Sequence, residues 1–121
     1  MSDPRFAGRR VLIVEDESMI AMLLEDIITD LGCIVVACVA TVADALASIE
    51  GDQLDAALLD VNLGSEQSYG IADVLGPRAV PYLFISGYGD RGIDPRYQGR
   101  PVLQKPFTAD SIEQALSGIL G

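Results

Sequence analysis

Short apolar runs that alternate with segments of helical spacing restrict this chain more than any other feature of its sequence. The run Ala56–Leu59 holds four apolar residues, too few for a helix, and so predicts a strand buried on both faces. Val11–Val14 has the same character, whereas the apolar spacing between Ser18 and Leu31 predicts a helix. Strands that alternate with helices predict a parallel sheet covered on both faces, which is a doubly wound α/β fold.

The remaining predicted elements complete a five-stranded sheet. Further strands are predicted at 34–37, 81–85 and 101–104, and further helices follow the N-caps Thr41 and Thr108 and span about 67–75. The segment 87–100 holds four glycines and Pro95, which predicts a fourth helix that is short or irregular. We expect the flavodoxin-like strand order 2-1-3-4-5 in a single domain over 1–121, with residues 1–8 as a flexible lead.

The composition narrows the class of function. Half of the 121 residues are hydrophobic, and no apolar run approaches the ~18 residues that cross a bilayer, so we expect a soluble cytoplasmic protein that does not act at a membrane. The net charge of −10 argues against nucleic acid as a partner, because phosphate backbones bind basic surfaces. The sequence contains no histidine, which excludes catalysis by histidine.

Polar side chains follow four of the predicted strands, at the point where each strand ends. Glu15 and Asp16 follow the first strand, Asp60 the third, Ser86 the fourth and Lys105 the fifth. In an open α/β sheet, ligands bind outside the carboxyl ends of the strands, where the strand order reverses. With the order 2-1-3-4-5, strands one and three are neighbours at that point. We therefore expect three carboxylates to converge beside a hydroxyl and an amine.

Carboxylates that converge in this way indicate a cation site, because they repel one another unless a positive charge lies among them. Mg²⁺ or Mn²⁺ prefers such oxygen ligands and is often shared with a phosphate. Lys105 would supply a second positive charge to a phosphoryl group. From the residues alone, two interpretations of Asp60 remain open. It is either a turn residue or a nucleophile that forms an aspartyl phosphate.

Four motifs carry a resemblance to a known family. They are Val14–Glu17, Leu59–Leu63, Ser86–Gly87 and Lys105–Phe107, and their order and spacing match across essentially the whole chain. Together they resemble the receiver domain of bacterial two-component response regulators. The resemblance implies a phosphoprotein that acts as a switch in two-component or phosphorelay signal transduction.

The family also implies the role of each site residue. Asp60 would accept a phosphoryl group from a histidine kinase or a histidine phosphotransfer protein. Asp16, Asp60 and the backbone carbonyl of Asn62 would bind Mg²⁺ directly, with Glu15 acting through a water molecule.

By the same resemblance, Ser86 and Lys105 would contact the phosphoryl oxygens, and the Lys105–Pro106 bond would be cis. The phosphorylated chain would act on another protein, which the sequence does not identify, and a homodimer is left open. We expect a switch that takes up and loses its own phosphate, not an enzyme.

The segment around the fourth strand resembles, more particularly, the FAT GUY subgroup of receivers. Its motif is Phe-Ala-Thr-Gly followed by Gly or Tyr, and here Ile85 and Ser86 replace the Ala and Thr. Ordinary receivers usually carry Tyr or Phe three residues before the lysine, whereas this chain has Val102. The usual aromatic switch is therefore missing. We expect Tyr88, or movement of the glycine-rich segment 87–100, to carry the signal instead.

Two alternatives to a free-standing receiver remain open. One is a Mg²⁺-dependent phosphohydrolase that uses Asp60 as its nucleophile, although such enzymes usually carry an aspartate where this chain has Asn62. The other is a receiver cut from a hybrid histidine kinase or a larger regulator. Because the chain ends directly after its last predicted helix, we expect no output domain.

Overall fold

The structure is a computed structural model, which describes residues 4–87, 92–97 and 99–120. Five strands form one parallel sheet in the order β2-β1-β3-β6-β7. This order confirms the predicted flavodoxin-like arrangement, since the five strands follow one another along the chain as 2-1-3-4-5. A two-stranded antiparallel hairpin, β4 and β5, precedes the third helix. The strands are β1 (Arg10–Val14), β2 (Ile34–Val39), β3 (Ala56–Asp60), β4 (Asn62–Leu63), β5 (Glu66–Gln67), β6 (Tyr82–Ser86) and β7 (Val102–Gln104).

Within the described residues, three α-helices follow β1, β2 and β5, and a fourth follows β7. Both predicted N-caps are confirmed: the side chain of Thr41 accepts the N–H of Asp44 at 3.1 Å, and that of Thr108 accepts the N–H of Ser111 at 3.1 Å. A 3-10 turn at Pro95–Tyr97 stands where a short or irregular fourth helix was predicted. The helices are α1 (Ser18–Asp30), α2 (Val42–Gly51), α3 (Tyr69–Leu75) and α4 (Ala109–Leu120).

The sheet divides the hydrophobic core into two layers. Successive side chains of a strand point to opposite faces. Val11 and Ile13 of β1 therefore pack with α1 and α4, while Leu12 and Val14 pack with α2 and α3. Every residue of β3 is buried, which confirms the prediction of a central strand covered on both faces.

The segment before β1 differs from the expected flexible lead. Residues 4–8 form turns, and Phe6 is fully buried in the core between the sheet, α1 and α4. The N–H of Gly8 donates to the carbonyl of Gly32 at 3.0 Å, and the guanidinium of Arg5 donates to Ser117. The expectation is therefore wrong for residues 4–8, because one large apolar side chain anchors them to the core. Residues 1–3 lie outside the described part.

The third helix begins two residues later than the spacing predicted. Glu66 and Gln67 pair with Leu63 and Asn62 in the hairpin, which occupies the start of the predicted helix. No helix in the described part of the chain is long and apolar enough to cross a membrane.

Candidate functional site

The carboxyl ends of four adjacent strands bring the predicted polar residues to one edge of the sheet. Asp60 and Ser86 are the last residues of β3 and β6, while Glu15 and Lys105 directly follow β1 and β7. Glu15, Asp60 and Ser86 are buried, whereas Asp16 is exposed. The fold thus places three carboxylates, a hydroxyl and an amine at the edge where the strand order reverses.

Lys105 is the only lysine of the sequence, and its ammonium group lies among carboxylates. Its Nζ is 3.0 Å from Oδ2 of Asp60 and 3.3 Å from Oε2 of Glu15, and a looser contact of 3.9 Å reaches Glu17. Burial lowers the pKa of Lys105, but the hydrogen bond to Asp60 and the charges of Asp60 and Glu15 outweigh it, so the pKa of Lys105 is raised. The lysine therefore stays charged beside Asp60.

The pKa of Glu15 is raised by its position in the cluster. Burial, and then the hydrogen bond and charge of Asp60, raise the pKa of Glu15 from 4.5 to about 7. The backbone N–H of Glu17 donates to its Oε1 at 3.1 Å, and Lys105 also opposes the rise. The charge of Lys105 thus offsets the effect of burial on Glu15 only in part.

The donor set fits a divalent cation. Glu15, Asp16 and Asp60 each offer an oxygen within 4.8 Å of the others, and oxygen-only ligands of this kind suit Mg²⁺ or Mn²⁺. Burial of Glu15 and its contact with Asp60 raise the pKa of Glu15, and a bound cation would favour its ionised form. Asn62 lies beside the site, because its N–H donates to Oδ1 of Asp60 at 3.3 Å. A metal role for its carbonyl stays a prediction.

Mg²⁺ affinity should rise with pH. Below about pH 7, the proton on Glu15 must leave before the cluster can take the ion, so the apparent affinity should increase roughly tenfold between pH 6 and pH 8. Isothermal titration calorimetry in two buffers of different ionisation enthalpy would measure both the affinity and the proton released. The Glu15→Gln variant should bind Mg²⁺ with little dependence on pH. An equal pH dependence in both proteins would contradict the assignment to Glu15.

The hairpin β4–β5 closes one side of the cluster. Its tip contains Gly64, whose φ of 67° is a conformation that residues with a side chain rarely adopt. A Cβ at Gly64 would lie 3.7 Å from Oδ2 of Asp16. The hairpin was not predicted, although a Gly-Ser pair between two short strands is a recognised hairpin signal. Its tip places the Asp60–Asn62 corner and Asp16 side by side.

Ser86 and Lys105 are held next to each other by the backbone. The N–H of Lys105 donates to the carbonyl of Ser86 at 2.9 Å, and the Lys105–Pro106 bond is cis, as the resemblance implied. Both side chains therefore belong to the same edge of the site as Asp60.

The comparisons with known proteins agree with this geometry. A family model described as the response regulator receiver domain matches residues 11–117. This chain belongs to that family.

Two relatives of this receiver domain resemble it over nearly its whole length. SdrG from Sphingomonas melonis is 48% identical, and its solution structure superposes with a TM-score of 0.84 over 94% of this chain and 98% of SdrG. The phyllosphere-induced regulator PhyR of Methylorubrum extorquens is 31% identical over 114 residues, which cover 91% of this chain and 43% of PhyR. The receiver therefore spans less than half the length of that relative. It is a receiver domain of the two-component signalling class.

Val102 and Tyr88 are the two positions that the sequence links to the question of signal readout. Val102, which replaces the usual aromatic of receiver domains, is half-buried in β7 beside Phe84. Tyr88, proposed from sequence as the substitute, lies outside the described residues, so its role stays a prediction. The structure shows instead a group of tyrosines between α3 and residues 92–97, which the sequence did not reveal because its members are distant along the chain.

Proposed function

We propose that this receiver is a phosphorylation-activated switch of the cytoplasm that accepts a phosphoryl group on Asp60 and acts through contacts with another protein. The donor is a histidine kinase or a histidine phosphotransfer protein. One observation carries the proposal: Oδ2 of Asp60 lies 3.0 Å from Nζ of Lys105, beside the carboxylates of Glu15 and Asp16, which together with Asp60 could hold a metal ion. We do not propose that this receiver hydrolyses a range of phosphoesters.

The transfer follows from the position of Asp60. Its carboxylate oxygen attacks the phosphorus of the donor's phosphohistidine, a P–O bond forms, and the P–N bond breaks with its electron pair returning to the imidazole. The ammonium group of Lys105 moves its contact from Asp60 to a phosphoryl oxygen, where the negative charge now lies. The hydroxyl of Ser86 donates a hydrogen bond to a second phosphoryl oxygen. Asp16 and Asp60 would hold Mg²⁺, whose charge would reduce the repulsion between the carboxylate and the incoming phosphoryl group.

A relative supports the switch. A structure of SdrG in a BeF3-activated conformation superposes on this chain with a TM-score of 0.82 at 48% identity. Beryllofluoride takes the place of a phosphoryl group on a carboxylate, so the same reagent is a suitable probe for this protein.

Acetyl phosphate tests the chemistry without a protein donor. In the presence of Mg²⁺ the intact mass should increase by one phosphoryl group, and chelation of the metal should abolish the increase. Asp60→Ala should stay unmodified, whereas Asp52→Ala, at the exposed far end of α2, should be modified like the wild type. Modification of Asp60→Ala would overturn the proposal, as would rapid turnover of many phosphoesters.

The surface beside Lys105 fits the protein donor. Ile20 and Leu23 of α1 face Pro106 and Phe107 across an almost wholly apolar cavity of about 310 Å³, and Lys105 lies at its edge. Two further apolar side chains of α1 are exposed, since Met19 is 83% exposed and Met22 is 64% exposed. A donor that delivers its phosphohistidine to Asp60 must cover this mouth. An apolar helix of the histidine-bearing protein is therefore the occupant that we propose.

Leu23→Arg should separate donor docking from chemistry. A buried charge at this contact should slow phosphotransfer at least roughly tenfold from whichever purified histidine kinase of the source organism phosphorylates the wild type fastest. Phosphorylation by acetyl phosphate should be unchanged. Ile34→Arg is a matched control, because Ile34 is 47% exposed and Leu23 48%, but Ile34 lies on β2. Equal rates for both variants with the kinase would count against this surface.

A further inference from the structure

Three aromatic rings connect β6 with α3 and the 3-10 turn. The rings of Tyr69 and Tyr97 are stacked, with centroids 4.6 Å apart and an angle of 11°. Phe84 packs edge-on against both, at 5.6 Å from Tyr69 and 5.9 Å from Tyr97. Because Phe84 lies two residues before Ser86 on the same strand, the stack touches the strand that ends in the phosphoryl site.

Hydroxyl groups fasten the same stack at both of its tyrosines. The Tyr97 hydroxyl donates to Asp73 of α3, and the Tyr69 hydroxyl accepts the N–H of Asp94 at 2.7 Å and donates to the carbonyl of Gly92 at 3.3 Å. We call the six residues that make these contacts the tyrosine clasp: Tyr69, Asp73, Phe84, Gly92, Asp94 and Tyr97. The bond to Asp73, followed by burial, raises the pKa of Tyr97 to about 12, so its proton stays in place at neutral pH.

Backbone hydrogen bonds connect the α3 side of the clasp to Asp60. Val61 follows Asp60 directly, and its N–H donates to the carbonyl of Ile85 at 3.1 Å. The carbonyl of Val61 accepts the N–H of Ser68 at 3.0 Å, and Ser68 precedes Tyr69, the first residue of α3. Both sides of the clasp are therefore attached within a few residues of the phosphoryl site, one through β3 and one through β6.

The rings of the clasp share a core with Val102, which stands at the position of the usual switch aromatic. Val102 pairs with Phe84 in the sheet and packs against the same core as Tyr69 and Tyr97, but it offers neither a ring nor a hydroxyl. Through Phe84 and Tyr69, the clasp joins the strand that ends in Ser86 to α3. It could therefore transmit a change at the phosphoryl site to α3.

We propose that the tyrosine clasp is closed in the unphosphorylated receiver and opens when Asp60 is phosphorylated, which releases residues 92–97 from α3. The inference rests on the proposed function. The closed clasp coexists with the Lys105–Asp60 ion pair, which a phosphoryl group must break as Lys105 and Ser86 turn to its oxygens. The ends of β3 and β6 then shift, and hydrogen bonds of the clasp weaken steeply with small displacements. The ring faces of Tyr69 and Tyr97 that become exposed then form the surface by which a partner protein recognises the phosphorylated state.

Fluorine NMR of the protein labelled with 3-fluorotyrosine tests the opening. The chain has four tyrosines and no tryptophan, so four resonances are expected, each assigned from its Tyr→Phe variant. After acetyl phosphate and Mg²⁺ have produced the adduct seen by intact mass, the resonances of Tyr69 and Tyr97 should move toward the position of an exposed tyrosine. An adduct that leaves both unchanged, or moves only Tyr88, overturns the clasp and leaves the proposed function standing. Absence of the adduct overturns both.

Two conservative variants test the coupling. Tyr97→Phe and Asp73→Asn each weaken the bond between α3 and the 3-10 turn while keeping the stacked rings. If the clasp favours the unphosphorylated state, its loss should tighten binding of beryllofluoride in the presence of Mg²⁺ roughly fivefold, by linkage. Tyr82→Phe, which removes a hydroxyl from the neighbouring ring outside the clasp, should bind like the wild type. Unchanged or weaker binding by both clasp variants would overturn the inference.

Discussion

Lys105→Ala is expected to slow phosphorylation of Asp60 by acetyl phosphate at least about 100-fold, the usual effect of removing one group that stabilises a developing charge. The ammonium group lies 3.0 Å from Asp60 and 3.3 Å from Glu15. Without it, the incoming phosphoryl group meets two buried carboxylates with no fixed cation. Phosphorylation is followed by intact mass over time at constant Mg²⁺.

The control for Lys105→Ala must lose the same charge elsewhere. Arg78→Ala does so, because Arg78 lies before β6, at the opposite end of the sheet, where it donates to the carbonyl of Ile49 at 3.2 Å. This variant should be phosphorylated at the wild-type rate. If Lys105→Ala reacted as fast as Arg78→Ala, the lysine would have no part in the transfer.

Phe6→Ala should lower the free energy of unfolding by about 3–5 kcal/mol, the range measured when a buried phenylalanine is truncated. Phe6 is fully buried among residues of the sheet, α1 and α4. Since domains of this kind are stable by only about 5–15 kcal/mol, the loss is a large share of the total. Thermal and urea unfolding would measure it.

Met19→Ala is the matched control for the stability prediction. Met19 is 83% exposed, so its truncation should change the free energy of unfolding by less than about 0.5 kcal/mol. At temperatures where the Phe6→Ala variant remains folded, this variant should still accept phosphate on Asp60, because Phe6 does not lie in the site. Equal unfolding midpoints for Phe6→Ala and the wild type would show that residues 4–8 do not anchor the domain.

The strands, the helices and their caps were predictable because they depend on local spacing, whereas the order of the strands was expected from the fold class. Apolar runs, helical periodicity and the threonines at 41 and 108 each act within a few residues, and the polar strand ends then follow from parallel topology. The separation of Glu15, Asp60 and Lys105 along the chain did not matter, because each follows a strand of the same sheet.

The rest depended on contacts that spacing does not encode. Phe6 was assigned to a lead because no periodic segment surrounds it, and its burial depends on α4, which lies about a hundred residues away. The tyrosine clasp joins Tyr69 and Asp73 to residues 92–97, which belong to the glycine-rich segment 87–100, where the sequence shows no helical spacing. Membership of the FAT GUY subgroup stays a prediction, as does the role of Tyr88.

We expect Asp60 alone, among the 18 acidic residues of the sequence, to carry the phosphate. Borohydride reduces an aspartyl phosphate to homoserine and leaves free carboxylates intact, so peptide mass mapping after acetyl phosphate and reduction identifies the acceptor. We predict homoserine at position 60, and no reduced side chain at Glu15, Asp16 or any other acidic position. Reduction at a different carboxylate would show that Asp60 is not the acceptor. The same conclusion would follow if no carboxylate were reduced in a protein whose mass shows the phosphate adduct.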